Sequence, residues 1–390
     1  MNVSSTSGNK KKVAVALSSF SFWFVICLLG ANWLLQTVKP LQYVKTKRFV
    51  PLEQNPLVSK FPLFFESKER PQLLVLGSSM PMEAIARYDA RFSNSLNEKS
   101  LNEIRMYTGA RYLEHLLKQK TGQSVKAFNL TCVACMASDA ELILRRAIEA
   151  NRLPQVVIFG IGPRDFIDNI APAVGKSPVC ELLSDRITLP EIFASFKDMG
   201  EATDLLMSQA VYMYKVRGDY RAALTSLSCD LLQHPADLFE VTQAKNVKAL
   251  EEATRCGASV TTATASTQMP KFTDLPEWKR RYAPANFKRY EAEKSSFTKM
   301  LALCKQKGIK LIVVNMPITD QNRELIPKDI YKLYQNEICK MAPRYGGEFI
   351  DLDGSKAFIP SDFYDSTHMN AIGGKKAQEM IVSSAQTLGL

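Results

Sequence analysis

Beyond Pro71 the chain alternates five short apolar runs with stretches of helical spacing. The runs are QLLVL (72–76), VKAFNL (125–130), QVVIFGI (155–161), KLIVVNM (310–316) and GEFIDL (347–352). Most are rich in β-branched or aromatic residues, and continuous apolar runs of this length suit strands buried on both faces. Strands alternating with helices predict an α/β fold with a doubly wound, five-stranded parallel sheet. Ser138-Asp139-Ala140-Glu141 reads as a capping box ahead of LILRRAIEA. Residues 286–308 and 325–342 have helical spacing and end near Gly308 and Pro343, and a last helix runs from about Ile372 to Leu388. Residues 172–285 break the rhythm with amphipathic pieces and then ASVTTATASTQMP. They read as a mainly helical insertion between the third and fourth strands, either a cap over the site or a packing module.

The net charge of +11 invites a nucleic-acid reading until it is located. Residues 1–48 hold seven basic residues (Lys10, Lys11, Lys12, Lys39, Lys45, Lys47, Arg48) and no acid. The other 43 basic residues face 39 acids, so the rest of the chain carries only +4. No basic stripe with interleaved aromatics follows, so no nucleic-acid partner is expected. Between Lys12 and Lys39 lie 26 uncharged residues. A helix needs about 20 apolar residues to cross a bilayer. The reading is a short tail (1–12), a transmembrane helix (13–38) with the lipid bilayer as its partner, and a stalk (39–70) carrying Pro40, Pro51, Pro56 and Pro62. The folded body then covers 71–390. The alternative, a cleaved signal peptide, fits less well, because the apolar stretch exceeds the usual ~7–15 residues and no A-x-A site follows. Basic residues on both flanks leave the orientation undecided.

Seven of the eight cysteines lie outside this segment, at irregular spacing, which is not a disulfide scaffold. Cys132 and Cys135 form a single CxxC with no histidine nearby, so no zinc site is expected. Two small buried residues or a redox pair are the readings that remain.

In open α/β sheets ligands bind beyond the carboxyl ends of the strands. The first run ends as LLVLGSSMPMEAIARYD. Gly77 permits a tight turn, Ser78 and Ser79 follow it, and a helix is expected to start near Pro81. A serine there gains from nearby backbone donors. The second run ends at Asn129, and Ala134 follows in a position to bring its N–H near the serine. The third ends as FGIGPRDF, where Arg164 is a candidate donor to an oxyanion or, with Asp165, a salt-bridged turn. After the last run comes SDFYDSTHMNAIGGKKAQEMI. Of the three histidines only His368 has an acid, Asp365, at a spacing that orients its ring. A serine nucleophile needs such a base and such a carboxylate. With a neutral histidine base, activity is expected to rise through about pH 6–7 and level off.

Together these blocks resemble those of SGNH (GDSL-like) hydrolases. The Gly-Asp-Ser block of that family is similar to Gly77-Ser78-Ser79, and its Asp-x-x-His block matches Asp365-Ser366-Thr367-His368, followed by Asn370 and Gly373. The resemblance covers roughly 71–171 and 286–390 and leaves out the insertion. It implies a flavodoxin-like strand order, Ser79 as nucleophile, His368 as base and Asp365 as its orienter. The oxyanion glycine of the family would fall at Ala134 and its asparagine at Arg164, two departures from the pattern. Asn129 and Ser78 complete the candidate site. The resemblance further implies an esterase or acyltransferase with a carbohydrate or acyl-ester substrate and no metal or cofactor. Membrane-tethered relatives assist polysaccharide O-acylation beside a membrane-bound O-acyltransferase, with the body outside the plasma membrane. An inactive relative that binds or assembles is the alternative.

Overall fold

The computed structural model describes residues 20–44, 57–172, 174–175, 177–183, 203, 206–207, 210–232 and 272–385. The chain divides into two compact units, Met1–Pro51 with Ser184–Gln243 and Leu52–Leu183 with Ala244–Leu390.

In the first unit, helix α1 (Phe20–Val38) is uncharged and has no buried residue. It is long and apolar enough to span a bilayer, as a signal sequence or a single anchor would be. The expected residues 13–19 of this segment, and the tail 1–12, lie outside the described residues. Asn32 is a polar carboxamide within the apolar helix α1. Its Nδ2 donates to the Ala210 carbonyl (2.9 Å) and its Oδ1 accepts from Tyr212 N–H (2.6 Å). Val211 between them is extended. The described middle of the expected insertion, including the helix Arg217–Leu232, therefore groups with α1. Much of 172–285 lies outside the described residues.

The second unit is built on five parallel strands: β1 (Leu73–Gly77), β2 (Ala127–Asn129), β3 (Val156–Ile161), β4 (Lys310–Asn315) and β5 (Glu348–Asp351). Their order is β2-β1-β3-β4-β5, as expected of the doubly wound sheet. β1 and β3 are buried throughout, and β4 is buried except at Lys310. That is the environment their apolar runs require. Helix α2 (Ser79–Ser93) follows β1, α3 (Ala137–Glu149) follows β2, α4 (Leu275–Tyr282) and α5 (Phe287–Lys307) precede β4, and α6 (Ala371–Ser384) closes the chain. Residues 386–388 of the last expected helix lie outside the described residues.

Four boundaries differ from expectation. α2 begins at Ser79, not Pro81, because Ser78 is already the extended N-cap residue. α3 starts earlier than expected, and the capping box read at Ser138–Glu141 does not form. The Met136 N–H donates to Asp139 Oδ2 (3.0 Å), while Ser138 gives its own N–H to Glu293 on α5 (2.8 Å). The helix expected over 325–342 is broken into Lys328–Asn336, a 3₁₀ turn at Ile338–Lys340 and Met341–Arg344. Pro343 lies inside the last piece rather than after it, and its missing N–H and bulky ring prevent one continuous helix.

The fourth difference concerns the stalk. Its stretch 45–56 lies outside the described residues, but 57–70 belongs to the body. Val58, Phe61 and Phe64 are fully buried, and Phe64 packs edge-on against Phe128 of β2 (5.3 Å). Lys60 is buried too. Its ammonium donates to the carbonyls of Thr131 (2.6 Å) and Tyr107 (3.2 Å), and burial lowers its pKa to about 8. Pro62 and the neighbouring charges conceal a core segment. Likewise α4, inside the expected insertion, is part of the body, with Tyr282 fully buried.

The early and late parts of this unit meet through α2 and α6. At Gly374 a Cβ would run into the backbone of Ala84, so only glycine allows this approach. Gln378 reinforces it by donating to the Ala84 carbonyl (3.3 Å). On an open helix face Gly→Ala gains up to about 1 kcal/mol. Here the sign reverses. Gly374→Ala is expected to cost about 1–3 kcal/mol through overpacking, read as a lower melting temperature of the full chain in detergent.

Candidate active site

The turn after β1 is made by Gly77, whose φ of +137° is open to glycine, and whose Cβ would collide with the Gly160 carbonyl on β3. This close approach lets the chain rise sharply out of the sheet, so that Ser79 opens α2. As the first residue of the helix, Ser79 has no intrahelical acceptor for its N–H. Its half-buried side chain stands at the carboxyl end of β1.

The partner loop is shaped by its own backbone. Phe363 and Met369 form an antiparallel bridge, and Tyr364 N–H donates to the His368 carbonyl (3.0 Å). Asn370 then caps α6, accepting from the N–H groups of Ile372 (2.9 Å) and Gly373 (3.2 Å). Within this tight loop Asp365 Oδ1 accepts from the N–H groups of Thr367 (2.8 Å) and His368 (2.7 Å), which aims Oδ2 at the imidazole. His368 Nδ1 lies 2.7 Å from Asp365 Oδ2, and its Nε2 lies 2.7 Å from Ser79 Oγ. The structure thus brings Ser79, His368 and Asp365 into one chain of hydrogen bonds.

Electrostatics push the pair toward its charged form. Burial alone would raise Asp365, but the charge of His368 and three hydrogen bonds outweigh it, and the carboxyl is held below its usual range. Burial alone would lower His368. The carboxylates of Asp365 and Glu83 outweigh it, with Arg87 opposing them, and the imidazole is raised to about 9.

The other candidates are placed differently. Ser78 is buried and donates to Asp165 Oδ2 (3.3 Å), which also accepts the Gly162 N–H (2.9 Å). Burial pushes the Asp165 carboxyl up to about 6, against the pull of Arg164. Ala134 has a φ of +61°, the left-handed conformation that a glycine takes without strain. Its turn is tied to the turn after β1 by Cys132 N–H donating to the Gly77 carbonyl (3.0 Å). Asn129 Oδ1 accepts from the Thr131 N–H (3.1 Å), and its Nδ2 has no hydrogen-bond partner among the described residues. Arg164 is the departure that matters. Its Nε donates to Asp168 (2.8 Å) and its Nη1 reaches Asp165 and the Cys135 carbonyl (each 3.4 Å). Arg281 of α4 closes on the same Asp168 oxygen (2.7 Å). These bonds hold the guanidinium in a buried ion cluster and match the salt-bridge reading of the Arg164-Asp165 turn. Cys132 and Cys135 are buried free thiols.

Sequence reasoning passed over the residues that hold the histidine loop. Asp274, at the N-cap of α4, accepts from Ser366 Oγ (2.6 Å) and from Trp278 Nε1 (2.8 Å). Trp278 lies 6.3 Å from the His368 ring. Asn322 donates to the hydroxyls of Ser366 and Thr367 (2.9 Å each). The Asp-Leu-Pro start of α4 was the available signal, an acid before an early helical proline. Comparison with protein-family models and with curated proteins returns no match to this chain.

Proposed function

We propose that the protein is a membrane-tethered serine acyl-ester hydrolase or O-acyltransferase of the SGNH type, acting on an envelope or extracellular carbohydrate. The observation that carries this reading is the 2.7 Å contact between Ser79 Oγ and His368 Nε2, with Asp365 at the far nitrogen. Neutral His368 takes the proton as Ser79 Oγ attacks the acyl carbonyl. The N–H groups of Ser79 and Ala134 are the donors to the oxyanion. His368 then protonates the leaving alcohol, and the acyl group passes to a sugar hydroxyl or to water. The chemistry requires no metal or cofactor. In this reading α1 is an uncleaved anchor, the body lies outside the plasma membrane, and a membrane-bound O-acyltransferase is the partner that supplies or receives the acyl group.

A fluorophosphonate probe tests the nucleophile. The wild type is expected to label at Ser79, and Ser79→Ala is expected to lose all of that labelling. Equal labelling of both would remove Ser79 from the reaction. A second reading, a non-catalytic binding or assembly protein of the envelope, draws on Arg164, whose guanidinium is committed to Asp168 and Asp165. Absence of labelling in the folded wild type would favour it.

A further inference from the structure

One turn after Ser79, on the same side of α2, lies Glu83, a carboxylate that is only 5% exposed. Burying such a charge is costly unless it is paired. Glu83 Oε2 accepts from Arg87 Nε (2.7 Å), and burial together with the Glu83 charge pushes the Tyr364 phenol up. The Arg87 guanidinium lies 4.0 Å over the Tyr364 ring and donates to the Glu98 carbonyl (3.1 Å). The Tyr364 ring in turn stacks on His368, with centroids 5.7 Å apart and planes 18° apart. Carboxylate, guanidinium, phenol and imidazole thus form one packed series, running from the helix that carries the nucleophile to the loop that carries the base. An ordinary i,i+4 pair on a helix surface has no such third and fourth member.

We propose that Glu83 is a positioning residue of this site: through Arg87 and Tyr364 it holds the His368 ring against Ser79. The inference rests on the triad reading for its kinetic consequence, but not for its structural one. Among the described residues, the charged and titratable groups facing His368 are Asp365 and Tyr364 from its own loop and Glu83 and Arg87 from α2, with Asp274 bonded to Ser366 at the start of α4. Removing the Glu83 charge leaves Arg87 uncompensated, so both effects act in the same direction and lower the affinity of His368 for its proton.

The chain has three histidines, so ring-proton NMR can follow His368 in the full protein in detergent, with His368→Gln identifying its signal. Glu83→Gln is expected to move the His368 titration about one pH unit toward acid. Glu83→Asp, which keeps the charge, is expected to stay much closer to wild type. In an ester assay the acidic limb of kcat/KM should move with the NMR titration. Equal titration of His368 in wild type and Glu83→Gln would overturn the proposal, as would equal shifts in the Gln and Asp variants. Because the NMR arm needs no turnover, an inert wild type would sink the triad reading while still deciding the role of Glu83.

Discussion

Asp365→Asn is expected to lower turnover of an activated ester by about 10⁴-fold while leaving the fold intact. The loop dictates this outcome. Asp365 Oδ1 already accepts two backbone N–H groups, from Thr367 and His368. An asparagine must keep its carbonyl oxygen there and turn its NH₂ toward His368 Nδ1. That nitrogen then has to accept, which moves the ring proton to Nε2. A protonated Nε2 cannot take the proton of Ser79. Steady-state kinetics beside a thermal melt would check it: a large fall in kcat, with a melting temperature within a few degrees of wild type, is the expected pair of results. A variant that kept a tenth of wild-type activity would exclude the triad.

The pH profile is expected to climb well beyond neutrality. The imidazole must be neutral to act as a base, and His368 is raised to about 9. Below that value the neutral fraction grows tenfold per pH unit, so kcat/KM should rise about 100-fold between pH 6 and pH 8. This replaces the limb at pH 6–7 anticipated for an ordinary histidine. The same shift has a stability consequence of defined sign. A group whose pKa is raised on folding stabilises the fold fully below its unfolded value, near 6.5, and loses that contribution as pH passes through the folded one. The His368 contribution should therefore fade between about pH 6.5 and 9. A kcat/KM profile already level by pH 7 would show that the carboxylates around His368 do not hold its proton.

Some of this was legible in the residues themselves. β1, β3 and β4 could be read because a run buried on both faces must be apolar at nearly every position, and that pattern is complete within five or six residues. The order of the strands was expected only from the resemblance to SGNH hydrolases, because alternation with helices and right-handed crossovers leave several doubly wound orders open. The Asp365–His368 spacing also shows directly, since both sit in one loop whose geometry is local. Position relative to the sheet made Ser79 visible as the residue after a strand end.

What escaped the sequence depends on partners far along the chain. Arg164 read equally well as a donor or as a salt-bridged turn. Arg281, 117 positions later, joins it at Asp168 and closes the buried cluster. Residues 57–70 read as a stalk because prolines and charges mask Phe61 and Phe64, whose burial requires β2 to be in place. Glu83 looked like any helical acid until the packing of α6 on α2 brought the Tyr364 loop to it. Periodicity and caps are set by neighbours a few residues away, so they survive in the one-dimensional record. The charge state of an imidazole is a sum over whatever surrounds it in space, and here those surroundings come from both ends of the body.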